Sequence, residues 1–505
     1  MTTSWLRHLL LLIITLPLLA GCKQTPIHYP DANVERPPEI GVPFVAGTFF
    51  SLKKYGYQQR EFFFRGEAKS YANVSTITAD GKWDVKPVDA ALYKSRMLVY
   101  RPINPADFNG TVLVEWLNVT AGVDTAPDWI MLHNEILRRG YAWVGVSAQR
   151  VGVEGGKSAL PSPLGFSIPL KLIEPFRYFS LKHPGDSFSY DIYTQAARAV
   201  RYPTGIAPLG DLQVKKMIAV GESQSAARLM TYVDAFGKDN DVFDGYFIHS
   251  RLGDIPDFGG ASAPLSESPQ TYIPTAPVVT VRDDLGKPVM NIQTETDVMR
   301  LGTYADRQDD TDTYRLWEMA GTAHADDYTI ARGMLDQGSV ASAKILITNK
   351  PMFALPACPD PVNSAPQHHF IAEAALYALN AWVTDGVAPP VFPRLALNAA
   401  EDGFDVDAEG NVLGGVRSPY VDVPTARLSG LNSSVQDGSG MCFLFGETRM
   451  LDGATLQSLY PDHESYVTAV TQSVAQNEAS GALMPEDGDR IIQAAQASDI
   501  PPQAP

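Results

Sequence analysis

The 505-residue sequence predicts an α/β protein in which helices cover both faces of a mostly parallel central sheet. Short apolar runs alternate with amphipathic stretches from about residue 58 to 385, and residues 111–146 contain one complete unit. In that unit, TVLVEWL predicts a buried strand, WIMLHNEILRR predicts a helix that Gly140 ends, and AWVGV predicts a second strand. The unit is a βαβ crossover. In the whole sequence 45% of the residues are hydrophobic, which is enough for a full core.

The other elements follow the crossover's pattern. Two strands, residues 61–64 and 97–100, are expected to pair antiparallel ahead of it. After it, the pattern predicts helix 190–201, strand 216–220, helix 226–236, strand 245–248, strand 289–293, strand 314–319 and helix 370–383. Beyond residue 397 we expect loops and then a polar helical tail over about 467–497.

The N-terminus has the anatomy of an export signal. Its apolar run, residues 9–19, is too short to cross a membrane and leads into Leu-Ala-Gly-Cys22. That sequence resembles the lipobox of bacterial lipoproteins, in which the cysteine is lipidated and becomes the first mature residue. We expect residues 1–21 to be removed and Cys22 to carry lipid; a cleaved signal with an incidental cysteine is the alternative. Lys23 after the cysteine favours an outer-membrane location facing the periplasm.

Composition divides the rest of the chain. Proline-rich residues 22–44 predict a tether, 45–397 the folded core, and 398–505 an extension packed on that core. Two stretches near 152–185 and 251–284, rich in Pro, Gly and Ser, interrupt the alternation. We expect them to be insertions over the carboxyl ends of the strands, as lids or pocket walls, with surface decoration as the alternative.

Charge and cysteine content exclude several classes of protein. The 40 Lys+Arg and 57 Asp+Glu give a net charge of −17, which disfavours binding to the phosphates of nucleic acid. Three cysteines are too few for a disulfide scaffold. In an oxidising compartment Cys358 and Cys442 are expected to form a disulfide, with two buried thiols as the alternative. Neither cysteine has the His or Cys spacing of a metal site.

The segment KMIAVGESQSA, residues 216–226, carries the strongest chemical signal. It places G-x-S-x-small between a predicted strand and a predicted helix. In a nucleophile elbow the serine occupies such a turn, with small neighbours that let the helix pack against the strand. The pattern predicts Ser223 as a nucleophile; a serine that only caps the helix is the alternative.

A serine hydroxyl needs a base, and the base needs an acid to orient it. In the chain order of the nucleophile-elbow enzymes, the acid and then the histidine follow on loops after later strands. Asp297 follows strand 289–293 and His324 follows strand 314–319, so they are the predicted acid and base. Glu295 is the alternative acid.

Three other histidines need roles. His249 is the rival base, but it ends a strand too early in the chain and is expected to line the pocket. His368 and His369 precede the predicted helix 370–383 and are expected to cap or flank it.

Acyl transfer also requires donors for an oxyanion. The backbone N–H of Gln224, directly after the serine, is the expected first donor. The second should come from the loop after strand 111–117, where Asn118 or Val119 is predicted. This loop has no HGGG-type run.

Together these motifs resemble a large bacterial family of exported proteins described as "alpha/beta hydrolase domain". The pieces EWLNVTAG, VGESQSA, QTETD, EMAGTAHAD, AALYALNAWVTDG and GGVRSPYVDVP carry the likeness over roughly residues 45–465. Ser225 in place of the usual second glycine and the atypical oxyanion loop depart from the general pattern. The resemblance implies the α/β-hydrolase fold and serine-hydrolase chemistry, with no particular substrate.

We therefore expect a lipid-anchored serine hydrolase that cleaves carboxylic esters through an acyl-enzyme. The expected partner is a small-molecule ester, with no metal, organic cofactor or nucleic acid, and with membrane contact through the lipid alone. Two alternatives are an acyltransferase with the same triad and a non-catalytic envelope binding protein on a hydrolase scaffold.

Overall fold

A computed structural model describes residues 31–74, 77–156, 167–253, 278–339, 358, 360–432 and 442–502. The predicted signal and Cys22 lie outside these residues, as do 157–166 and 254–277 of the two predicted insertions. Within the described ranges no helix is both long and apolar enough to cross a membrane.

The strands confirm the predicted fold class. In chain order they are β1 (Asn33–Glu35), β2 (Tyr57–Asn73), β3 (Val85–Pro102), β4 (Thr111–Trp116), β5 (Ala142–Val146), β6 (Lys216–Glu222), β7 (Gly245–His249), β8 (Val289–Thr294), β9 (Tyr314–Met319), β10 (Ala426–Ser429) and β11 (Glu447–Met450). The first nine form one sheet in the order β1-β2-β3-β5-β4-β6-β7-β8-β9, and β10 pairs with β11. Strands β4 to β9 run parallel, and β1 to β3 add an antiparallel edge.

Helices lie on both faces of this sheet. The α-helices of the described part are α1 (Pro127–Arg139), α2 (Arg150–Glu154), α3 (Leu170–Ile173), α4 (Pro175–Tyr178), α5 (Ser189–Arg201), α6 (Gln224–Phe236), α7 (Glu295–Met299), α8 (Gln367–Asp385), α9 (Pro419–Asp422), α10 (Gly453–Leu459), α11 (His463–Ser480) and α12 (Pro485–Gln496). Alternate strand residues point to opposite faces. On β6, Ala219 therefore packs with α5 and α6 in one core, while Ile218 and Val220 pack with α1 and α8 in the other.

Several elements extend beyond their predicted bounds. Strands β2 and β3 pair with each other from Tyr57↔Pro102 to Asn73↔Val85, because backbone pairing continues past their apolar residues. Helix α8 begins at Gln367, so His368 and His369 lie buried in its first turn and do not flank it. The predicted single tail helix is two helices, α11 and α12, separated after Gly481.

Part of the predicted tether belongs to the folded unit. β1 pairs antiparallel with β2, with Val34 opposite Phe64. Arg177 Nη1 donates to the carbonyl oxygens of Pro38 at 2.8 Å and Ile40 at 2.9 Å. The prediction of a tether over 22–44 is therefore wrong for residues 33–44. Proline-rich composition does not reveal that these carbonyls have a buried partner.

Two kinds of link join the C-terminal extension to the core. A disulfide connects Cys358 to Cys442, with 5.7 Å between their Cα atoms. Arg138 of α1 lies 2.6 Å from the Glu135 carboxylate, 3.1 Å from Glu373 of α8 and 2.8 Å from Asp487 of α12. All three carboxylate side chains are fully buried, so the Arg138 guanidinium offsets part of the repulsion among the acids around it.

Replacing Arg138 tests this link. Arg138→Ala removes the guanidinium that lies nearest to three buried carboxylates, and we expect a loss of about 3–5 kcal/mol in the free energy of unfolding. Urea denaturation measures it. Arg449→Ala is the control, because Arg449 pairs with Glu447 but is half-exposed, and its expected loss is at most about 1 kcal/mol. Equal losses in the two variants would contradict this role of Arg138.

Candidate active site

Ser223 occupies a constrained turn between β6 and α6. Its backbone has φ 59° and ψ −120°, a conformation that costs a non-glycine residue about 1–3 kcal/mol. The Ser223 N–H donates to the His249 carbonyl at 3.0 Å, and the Ser223 carbonyl accepts from the Ala227 N–H at 3.0 Å. A Cβ at Gly221 would lie 3.0 Å from the Ser225 carbonyl oxygen, so the helix and strand approach closely here. The close packing of small residues predicted for this turn is therefore present.

The structure brings the three predicted triad residues together. His324 Nε2 lies 2.8 Å from Ser223 Oγ, and His324 Nδ1 lies 2.6 Å from Asp297 Oδ1. Asp297 is fully buried, whereas Ser223 is 7% and His324 is 5% exposed. The serine and histidine thus retain some access to solvent, and the acid has none.

Asp297 is held in the first turn of α7. Thr294 caps α7, and its N–H donates to Asp297 Oδ2 at 2.7 Å while its hydroxyl accepts from the Asp297 N–H. Burial raises the pKa of the Asp297 carboxyl, but the facing His324 and these hydrogen bonds outweigh burial and hold the pKa below its usual value. The carboxylate is therefore ionised and can accept the His324 Nδ1–H.

Glu295, the alternative acid, has different partners. Its carboxylate accepts the N–H of Gly321 at 2.5 Å and the N–H of Gly430 at 2.7 Å. It therefore joins the loop before His324 to the C-terminal extension. Burial raises the pKa of Glu295 to about 7. Of the two candidate acids, only Asp297 is hydrogen-bonded to the imidazole.

The predicted backbone donor Asn118 is used elsewhere. Its N–H donates to the Thr125 carbonyl at 3.0 Å, because residues 118 and 125 pair as an antiparallel bridge across the loop. Its side-chain Nδ2 donates to the Glu222 carbonyl at 3.0 Å. The prediction of Asn118 is therefore wrong, and Val119 is the remaining candidate. Gln224 begins α6, where backbone N–H groups point toward the N-terminal end of the helix.

Sequence reasoning missed one carboxyl group at this site. Glu222 Oε1 lies 3.7 Å from His324 Nε2, the nitrogen that faces Ser223. Burial, followed by the nearby charges of Asp128 and Asp297, raises the pKa of Glu222 well above its usual value. Its place directly before the serine was the only available signal, because its distance from His324 depends on the folded chain.

The structure also corrects the expected role of His249. Its ring is fully buried and does not line an open pocket. His249 Nδ1 lies 2.9 Å from Asp128 Oδ1, and His249 Nε2 lies 2.8 Å from His368 Nε2. No group of three or more His, Cys, Asp or Glu side chains among the described residues is arranged to hold a metal ion.

The sequence matches the family described as "Alpha/beta hydrolase domain" over residues 24–493. The chain belongs to this family. No curated protein matches this alpha/beta hydrolase.

Similar solved structures include three hydrolases. Esterase Est22 is 12% identical, covering 52% of this chain and 72% of that one, with a TM-score of 0.27. A thermostable esterase from Pseudomonas putida is 12% identical over 57% of this chain and 80% of that one, with a TM-score of 0.28. A putative dienelactone hydrolase from Klebsiella pneumoniae is 14% identical over 56% and 94%, with a TM-score of 0.27.

The raised pKa of Glu295 predicts a pH dependence of stability. Between about pH 4.5 and 7 the unfolded chain releases this proton while the folded chain retains it, so stability falls as pH rises. Glu295→Gln has no such proton. Its free energy of unfolding should therefore fall less steeply with pH than that of the wild type, by up to about 1.4 kcal/mol per pH unit. Urea denaturation of both proteins at pH 5, 6 and 7 measures the difference. Identical slopes would contradict it.

Proposed function

We propose that this alpha/beta hydrolase cleaves carboxylic esters through an acyl-enzyme on Ser223. The observation that carries the proposal is the unbroken hydrogen-bonded path from Asp297 through His324 to Ser223, at 2.6 and 2.8 Å. These distances are within the reach needed for proton transfer, and the serine occupies a strand-to-helix turn that exposes its oxygen.

Acylation begins with attack of Ser223 Oγ on the ester carbonyl carbon. His324 Nε2 takes the hydroxyl proton as the new C–O bond forms, and Asp297 stabilises the imidazolium through Nδ1–H. The carbonyl oxygen becomes an oxyanion, for which we assign the backbone N–H groups of Gln224 and Val119 as donors. When the tetrahedral intermediate collapses, the C–O bond to the alcohol breaks and His324 returns the proton to the departing oxygen.

Deacylation repeats these steps with water. His324 takes a proton from water, the hydroxide attacks the acyl carbon, and the carboxylic acid leaves as Ser223 Oγ regains its proton. His324 Nε2 faces Ser223 and, 3.7 Å away, the Glu222 carboxyl group. The proposed reaction uses groups from the chain and water alone.

We also propose attachment to the cell envelope through lipid on Cys22. The lipobox and the disulfide, which is typical of an oxidising compartment, support this location. We expect cells fed radioactive palmitate to label the wild-type chain and leave the Cys22→Ala chain unlabelled. Equal labelling of the two chains would contradict the attachment.

Two neighbouring acids provide a matched test of the triad. With p-nitrophenyl acetate, Ser223→Ala should have no measurable kcat, and Asp297→Asn should lower kcat by about 10⁴-fold because the imidazole loses its orienting partner. Glu295→Gln is the control, because that side chain contacts backbone N–H groups and not the imidazole. We expect its kcat to stay within about tenfold of wild type. A larger loss in Glu295→Gln than in Asp297→Asn would contradict the assignment.

A further inference from the structure

Four buried polar side chains lie in a row beside the triad: Asp128, His249, His368 and Asp326. Asp128 Oδ1 lies 2.9 Å from His249 Nδ1, and His249 Nε2 lies 2.8 Å from His368 Nε2. His368 Nδ1 lies 3.4 Å from Asp326 Oδ2, a close contact without a hydrogen bond. None of the four is more than 1% exposed, so substrate in an open cleft does not reach them.

Each member of the row comes from a different part of the fold. Asp128 lies in the first turn of α1, His249 ends β7, and His368 lies in the first turn of α8. Asp326 follows His324 by two residues in the loop after β9. The row therefore connects α1 and α8, which pack on the same face of the sheet, to the loop that carries His324, the proposed base.

The row also reaches the proposed nucleophile. The His249 carbonyl accepts the Ser223 N–H at 3.0 Å, which is one of the contacts that hold the constrained turn. At the other end, Asp326 Oδ1 accepts from the N–H and the hydroxyl of Thr329, at 2.8 and 2.9 Å. His249 therefore lies next to the backbone of the Ser223 turn, and His368 lies next to a side chain of the His324 loop.

The two imidazoles depend on each other for hydrogen bonding. Burial lowers the pKa of His249 well below its usual value, so the ring is neutral, with one nitrogen donating and the other accepting. Of the two facing Nε2 atoms, one must therefore donate and the other accept. Loss of one ring leaves a buried nitrogen of the other without its partner, which favours rearrangement of the row.

We propose that His249 and His368 are positioning residues that hold the Ser223 turn and the His324 loop at the separation required for proton transfer. This inference rests on the proposed function. It assigns neither residue a contact with substrate. Since a displacement of about 1 Å can cost a hundredfold in rate, small shifts in this row should be visible in kcat.

The test compares three variants of the full chain with p-nitrophenyl acetate. His368→Leu removes the ring nitrogens, whereas His368→Gln supplies a side-chain amide that can form a hydrogen bond with His249 Nε2. His369→Leu is the matched control: it lies in the same helical turn and is equally buried, but its ring stacks on Tyr328 at 3.8 Å. We expect His368→Leu to lower kcat at least tenfold with KM within about twofold, His368→Gln to recover part of this loss, and His369→Leu to stay within about threefold.

The other outcomes decide between the positioning role and the proposed function. Wild-type kcat in both His368 variants, or a lower melting temperature with unchanged kcat, would overturn the positioning role and leave the proposed function intact. If His368→Leu does not fold, the comparison is made between His368→Gln and His369→Gln. A lower kcat in His368→Gln alone supports the positioning role, and equal kcat values in the two variants overturn it. A wild-type protein without any esterase activity would overturn the proposed function, and this inference with it.

Discussion

The site depends on a single constrained turn, in which Ser223 holds a backbone conformation that L-residues rarely adopt. Contacts with the neighbouring strand and helix hold the turn in this conformation. The carbonyl of His249, the last residue of β7, accepts a hydrogen bond from the Ser223 N–H, and α6 begins at the next residue, Gln224. Strain of about 1–3 kcal/mol is small beside the burial of two cores, one on each face of the sheet. The turn projects the serine oxygen from the carboxyl end of β6 toward His324.

The carboxyl groups near this turn differ in pKa because their surroundings differ. Asp297 keeps a pKa below its usual value because an imidazole and a backbone N–H outweigh its burial, whereas burial dominates at Glu295 and Glu222 and raises their pKa. Contrasting environments of this kind assign different roles to neighbouring acids. Asp297 can support an imidazolium, Glu295 joins two loops, and Glu222 lies 3.7 Å from the imidazole. The proposed chemistry thus follows from desolvation and local hydrogen bonding more than from the number of acids present.

The sequence predicts the parts of the structure that are encoded locally. Ser223 is recognisable because strand, turn and helix follow one another in the chain, and Asp297 and His324 because each follows a strand in the expected order. Contacts between distant segments are not visible in this way. The bond from Asn118 to Thr125, the pairing of β1 with β2 and the contact between His249 and His368 each require the folded chain. Proline content therefore suggested too long a tether, and His249 was expected in a pocket although its ring is buried.

In the proposed reaction Ser223 is the nucleophile and His324 activates it. The most direct measurement is mass spectrometry of peptides from the protein after reaction with a fluorophosphonate, which phosphonylates activated serines. We expect one adduct per chain, on the peptide that contains Ser223, with much slower formation in His324→Ala. An adduct on another residue, or formation at the wild-type rate in His324→Ala, would contradict it.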